Sequence, residues 1–255
     1  MNPYLIEVDN EVLRFTINRE NHRNAINFEV MDGLEKVLDI GERGPYKALV
    51  ITGTGSNAFC SGGDLSVFHQ LKTEDEAYQM LSKMASILYR LLTFPKPTVA
   101  IINGAAVGGG CELATACDFR VARKGAKAGF IQGKLAITTG WGGGAMLLEK
   151  IETVNAMKLL MTAEVYDVEN LQELGFINEI YEGNGLEAAN LFLEKMVKLE
   201  SEVLSSYKKI LIGKWESTNL HKRLFDEVRR CAKLWESEAH HIQVNRFLTK
   251  GEKGK

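Results

Sequence analysis

At 255 residues, with 45% hydrophobic and 25% charged residues, the chain can bury a substantial core and is too apolar to stay disordered. Its 31 basic and 33 acidic residues leave a formal net charge of -2, which excludes an overall field that would draw it to nucleic acid or an anionic membrane. An anionic ligand would rely on local donors.

Residues 4–8 and 11–17 read as short strands split by a turn at Asp9-Asn10. The N-terminal stretch holds Glu7 and Asp9 and has no apolar run of a signal peptide or membrane span, so a cytoplasmic location is expected. Residues 28–40 place Val30, Leu34, Val37 and Leu38 at helical spacing. KALVITG (47–53) is a buried strand ending in glycine. A helix is expected over 74–93 and is ended by FPKP, because proline disfavours helix at the residue before it. TVAIING (98–104), a short helix over 109–117 and a strand over 118–122 follow. This alternation predicts α/β layering. From about residue 145 the spacing is helical: 145–162, 167–174, 185–198, 201–214 and 218–248. Two parts result, an α/β core over 1–190 and a helical region over 191–255, whose last residues, TKGEKGK, should fray.

Cys60, Cys111, Cys117 and Cys231 form no C-x-x-C pair and read as buried free thiols. The five histidines lack metal-ligand spacing, so no metal site is expected. GTGSNA (53–58) imitates a dinucleotide fingerprint, but its glycines run into FCSGGDL instead of opening a helix, which argues against a nicotinamide oxidoreductase. NGAAVGGGCELATACDF (103–119) is more informative. Three glycines lead into a helix start, where free N–H groups favour negative charge. Glu112, three residues after Gly109, would put a carboxylate beside an oxygen anion bound there, a geometry suited to chemistry next to a carbonyl. Locally, Glu112 could equally do no more than stabilise its helix. AFCSGGDL (58–65) is a second loop of this type, and the two could each supply one N–H to an oxyanion hole.

Several stretches together resemble the crotonase superfamily, the enoyl-CoA hydratase/isomerase family. They are NRENHRNAIN (18–27), VITGTGSNAFCSGGDL (50–65), PKPTVAIINGAAVGGGCELATACDF (95–119), GWGGG (140–144) and LQELGFINEI (171–180), in family order. The resemblance implies an α/β fold, a spiral of ββα units followed by C-terminal helices that trimerise, often as a dimer of trimers. Residues 218–248 would then assemble copies, or cover their own core, through Leu224, Val228, Trp235 and Phe247. The implied ligand is an acyl-CoA thioester, with coenzyme A arriving as part of the substrate and no resident cofactor. The implied oxyanion donors are the N–H groups of Gly63 and Gly109, with Glu112 as acid/base. Arg23 would meet a CoA phosphate, and Ala25, Ser61, Asp64, Leu65 and Trp141 would line the substrate's path.

One departure bears on the reaction. Hydratases of the family use two glutamates, the second in a pattern resembling F-x-Q-P-E-I. Here FIQGKLAI (130–137) puts Lys134 in that place, and no other acid lies between Asp118 and Glu149. Activating and protonating one water needs two acid/base groups. Lys134 is expected to pair with Glu112 and lower its basicity. A single carboxylate still supports isomerisation, and an oxyanion hole alone supports decarboxylation of a malonyl-type thioester, with Lys134 holding the leaving carboxylate. A non-catalytic acyl-CoA-binding subunit is the alternative of another class. The segment 66–95 would shape the acyl pocket, with His69, Gln70 and Tyr78 as its polar candidates.

Overall fold

In the computed structural model, which describes residues 2–252, the chain winds through two sheets. A hairpin of β1 (Tyr4–Asp9) and β2 (Val12–Ile17) leads into α1 (Phe28–Arg43), whose first turn is capped by the Asn27 side chain accepting from the Val30 N–H. The chain then repeats one motif. β3 (Ala48–Gly53), β4 (Ala58–Cys60), α2 (Leu65–Phe68) and α3 (Glu74–Leu92) make one turn. β5 (Thr98–Ile102), β6 (Ala105–Val107) and α4 (Gly109–Ala116) make the next. β7 (Phe119–Arg123), β8 (Lys127–Gly129), a 3-10 turn at Ile131–Leu135 and α5 (Gly143–Lys150) make the third. α6 (Thr153–Thr162), β9 (Tyr166–Asp167), α7 (Val168–Glu173) and β10 (Glu179–Tyr181) follow, then α8 (Gly185–Val197), α9 (Ser201–Ser217), α10 (Leu220–Trp235) and α11 (Glu238–Glu252).

The long strands form one sheet in the order β1-β2-β3-β5-β7-β10, parallel from β2 onward. The second strand of each repeat joins a smaller sheet, β4-β6-β8-β9, whose first three strands are parallel. These are the expected ββα units. The short strands were not resolved by periodicity, since three residues between glycines show none.

The main sheet is covered on both faces, as a parallel sheet requires. Phe15, Leu49, Ile51, Ala100 and Ile102 point into the larger core with α1, α3, α4 and α10. The alternating set Val12, Ala48, Val50, Val99 and Ile101 packs against Ala189 and Leu193 of α8. Residue 190, where the two parts were expected to meet, lies inside α8, and Trp215, Leu224 and Val228 belong to the larger core. The helical runs expected over 145–162 and 218–248 are each broken, at Ile151-Glu152 and at Glu236-Ser237. Leu224, Val228 and Trp235 are buried as expected, but Phe247 is 55% exposed, because α11 no longer follows the buried face of α10. The expected frayed tail falls partly on residues 253–255, outside the described residues. No described helix is long and apolar enough to cross a membrane.

The C-terminal helices are tied to the core by polar contacts. The Trp235 Nε1–H donates to the Leu71 carbonyl at 2.9 Å, and His240 Nδ1 lies 2.7 Å from the Leu135 carbonyl. Lys208 of α9 pairs with Asp118, which also accepts from the Thr98 N–H and hydroxyl. Both partners are almost wholly buried. Lys208→Met would leave that carboxylate short of its main countercharge, and is expected to lower the unfolding free energy by about 3 kcal/mol in urea titrations.

Candidate active site

The loops after β4, β6 and β8 are neighbours because those strands are neighbours. The first is pinned by the chain at 23–26: Ser61 N–H donates to Arg23 O, Ile26 N–H to Gly62 O and Asp64 N–H to Ile26 O. Gly62 sits at φ +93°, and a Cβ there would stand 3.0 Å from the Gly109 nitrogen. Gly108, at φ +56°, turns the second loop into α4. The N–H groups of Gly63 and Gly109 find no acceptor among the described residues, and both line a cleft of about 270 Å³. Two free donors side by side in a largely apolar cleft are suited to an oxygen that gains negative charge. Trp141 packs behind them, so close that a Cβ on Gly109 would fall 2.2 Å from its Cζ3 atom.

Glu112 lines the same cleft and is 2% exposed. Its Oε2 accepts from the Trp141 N–H at 2.9 Å and the Gly143 N–H at 2.8 Å. Its Oε1 accepts from the Gln132 amide at 2.9 Å and the Gly140 N–H at 3.3 Å. Burial pushes the carboxyl up to about 7, helped by the nearby Glu227 charge and opposed by the hydrogen bonds from Gly143, Trp141 and Gln132.

Lys134, in the 3-10 turn, also lines the cleft. The expected Lys134–Glu112 pair is not formed, because four other donors already surround the glutamate, and its basicity is raised rather than lowered. Glu112 is the only carboxylate lining the cleft among the described residues. Ser61, Leu65 and Trp141 line it, whereas Arg23, Ala25 and Asp64 do not. Arg23 is exposed, in the left-handed region at φ +49°. Ala25 is buried, and its carbonyl accepts from Arg19 Nη1. The Asp64 side chain caps α2 and pairs with Arg19 at 2.8 Å. Burial would raise its carboxyl, but hydrogen bonds from Ser66 and Arg19 and the Arg19 charge hold it below the usual range. The far wall is apolar, made by Phe68, Met80, Leu81, Ile137, Cys231 and Trp235, rather than by His69, Gln70 and Tyr78. Arg19, Gln132 and Glu227 escaped notice in the sequence. Arg19 lies in the same motif as Arg23, and nothing local distinguishes them. Among the described residues no group of three His, Cys, Asp or Glu side chains is placed to hold a metal ion.

A profile of the enoyl-CoA hydratase/isomerase family matches residues 7–254. An ethylmalonyl-CoA decarboxylase of Xenopus laevis is 33% identical over 255 aligned residues, 98% of this chain and 83% of its own length. The ethylmalonyl-CoA decarboxylase of Homo sapiens is 32% identical over 206, covering 79% of this chain and 67% of its own. The structure of an enoyl-CoA hydratase/isomerase from Xanthobacter autotrophicus Py2 superposes with a TM-score of 0.90 at 24% identity, over 99% of this chain and 95% of that one. The fold is therefore the crotonase fold, and the chain belongs to the enoyl-CoA hydratase/isomerase family. It is an acyl-CoA enzyme of that family.

Because the Glu112 carboxyl titrates near 7 when folded and near 4.5 when unfolded, its protonated form is the one that favours folding. That stability is full below about 4.5 and is lost as pH rises through about 7. Urea unfolding across this range should show a falling free energy in the wild type, and Glu112→Gln should remove this part of the slope.

Proposed function

We propose that the protein decarboxylates a malonyl-type acyl-CoA thioester carrying a short alkyl branch. The observation that carries this reading is that a lysine, Lys134, and a single carboxylate, Glu112, line the cleft beside Gly63 and Gly109. Relatives over nearly the full chain are named ethylmalonyl-CoA decarboxylases, which supports it. Among the described residues lining the cleft, two-carboxylate hydration has no second acid to draw on.

In this reading the thioester oxygen accepts from the Gly63 and Gly109 N–H groups. The bond from the α-carbon to its carboxylate breaks, carbon dioxide leaves, and the electron pair passes into the thioester as an enolate. Those two donors strengthen as the oxygen becomes anionic, so they lower the barrier. Lys134 grips the carboxylate before the bond breaks, so its contribution falls on binding and orientation. The α-carbon then takes a proton, with Glu112 as acid/base. Coenzyme A enters as part of the substrate, and Ser61, Leu65 and Trp141 line its acyl end. Arg23, exposed and joined through its carbonyl to the Ser61 N–H, would meet a phosphate of the nucleotide end. Glu112 as sole carboxylate also favours a second reading, 3-enoyl to 2-enoyl isomerisation, in which one group moves a proton between two carbons. The assembly is a homotrimer or dimer of trimers, supported by Val154, Met161, Tyr207 and Ile210, which are 70–78% exposed on α6 and α9.

Purified protein is expected to release carbon dioxide from ethylmalonyl-CoA or methylmalonyl-CoA and to leave crotonyl-CoA largely unhydrated. Fast hydration of crotonyl-CoA without decarboxylation would sink the proposal. Lys134→Met is expected to raise KM for the malonyl-type thioester at least about tenfold, about 1.4 kcal/mol, while binding of butyryl-CoA changes little.

A further inference from the structure

Two carboxylates share the start of α5. Gly143 N–H donates to Glu112, and the next two N–H groups, of Gly144 and Ala145, donate to Glu227 of α10 at 3.0 and 2.7 Å. The Thr139 hydroxyl donates to Glu227 as well, at 2.5 Å. One helix terminus thus holds two carboxyl groups on adjacent N–H groups. Like charges so placed give up their first proton easily and their second reluctantly. Glu227 is the better placed of the two to be the anion. Burial raises its carboxyl above the usual range, but Thr139, Gly144 and Ala145 donate to it and the Arg230 charge favours its anion, and it lines a cavity of about 670 Å³ with Arg223, Asp226 and Arg230. Among the described residues, the other titratable groups lining the cleft with Glu112 are Lys134 and the buried thiol of Cys231.

Glu112 also has a place for the proton. Oε2 is taken by two backbone donors that cannot become acceptors. On Oε1 the Gln132 amide can reverse, and its own oxygen is buried without a partner. Reversal turns that orphan into the acceptor for a Glu112 hydroxyl.

We propose that Glu227 is a positioning residue for the reaction: its charge on the start of α5 keeps the proton on Glu112, so that Glu112 meets the substrate as a proton donor. This rests on the reading of Glu112 as acid/base. After carbon dioxide leaves, the α-carbon takes the proton from Glu112 Oε1, a C–H bond forms as the O–H bond breaks, and the resulting carboxylate regains a proton from solvent.

The test is infrared titration of protonated carboxyl groups in the whole protein, with the Glu112 band assigned by its loss in Glu112→Gln. In Glu227→Gln the Glu112 titration is expected to fall by about one pH unit or more. Because Glu227 ionises while Glu112 is still protonated, Glu227→Asp, which keeps the charge, should keep the Glu112 titration high, and Glu227→Ser serves if Glu227→Gln does not fold. A Glu112 shift below about 0.3 unit on loss of the Glu227 charge overturns the proposal. The kcat–pH profile on ethylmalonyl-CoA should move with the infrared titration in Glu227→Gln. An unmoved profile overturns the positioning role. An infrared shift in a protein that decarboxylates nothing leaves the coupling standing and removes the functional reading.

Discussion

The site depends on one geometric constraint, the parallel pairing of β4, β6 and β8. Each short strand lies midway in its turn of the spiral, beside those of the neighbouring turns. The loops that leave them, at Gly62-Gly63, Gly108-Gly109 and Gln132-Lys134, therefore meet at one edge. Residues about 70 positions apart in the chain become neighbours with no other device than strand spacing. The glycines follow from this closeness. A Cβ on Gly110 would lie 2.0 Å from the Cys60 carbonyl oxygen, so the approach of the second loop to the first leaves no room for a side chain.

Burying Glu112 sets a second constraint. A carboxylate taken out of water is costly unless donors replace the water. Here three of them come from one loop, 140–143, whose N–H groups turn to the carboxylate while the Trp141 side chain lines the cleft. The loop is held in turn by Glu227 and by Leu224 against Gly142. The chemistry of α4 is thus supported by α10, more than a hundred residues later. The C-terminal helices are part of the site's construction.

Much of this was legible in the sequence. Long apolar strands, the helix expected over 74–93 and found over 74–92, and the glycine loops are local signals, and local signals survive into the structure. Glu112, Gly63, Gly109 and Lys134 all line one cleft, as the motifs implied. What could not be read was pairing. Asp64 was taken as part of the substrate path, but its partner is Arg19, 45 residues away. Lys134 was paired with Glu112 because opposite charges are expected to meet, yet backbone N–H groups, which have no letter of their own, reached the carboxylate instead. Phe247 fell out of the buried stripe because a two-residue break at Glu236-Ser237 resets the phase of a helix that periodicity treats as continuous.

The two ties of the C-terminal helices have a consequence for how such a protein can change. Trp235 is fastened to Leu71 on one side of the cleft, and His240 to Leu135 on the other. The far wall therefore mixes Phe68, Met80 and Leu81 of the first turn of the spiral with Cys231 and Trp235 of α10, while the donors come from the glycine loops. A change at Cys231 or Trp235 can retune which acyl group fits without rewriting the loops that act on it. A lineage can vary its diet while keeping its tools.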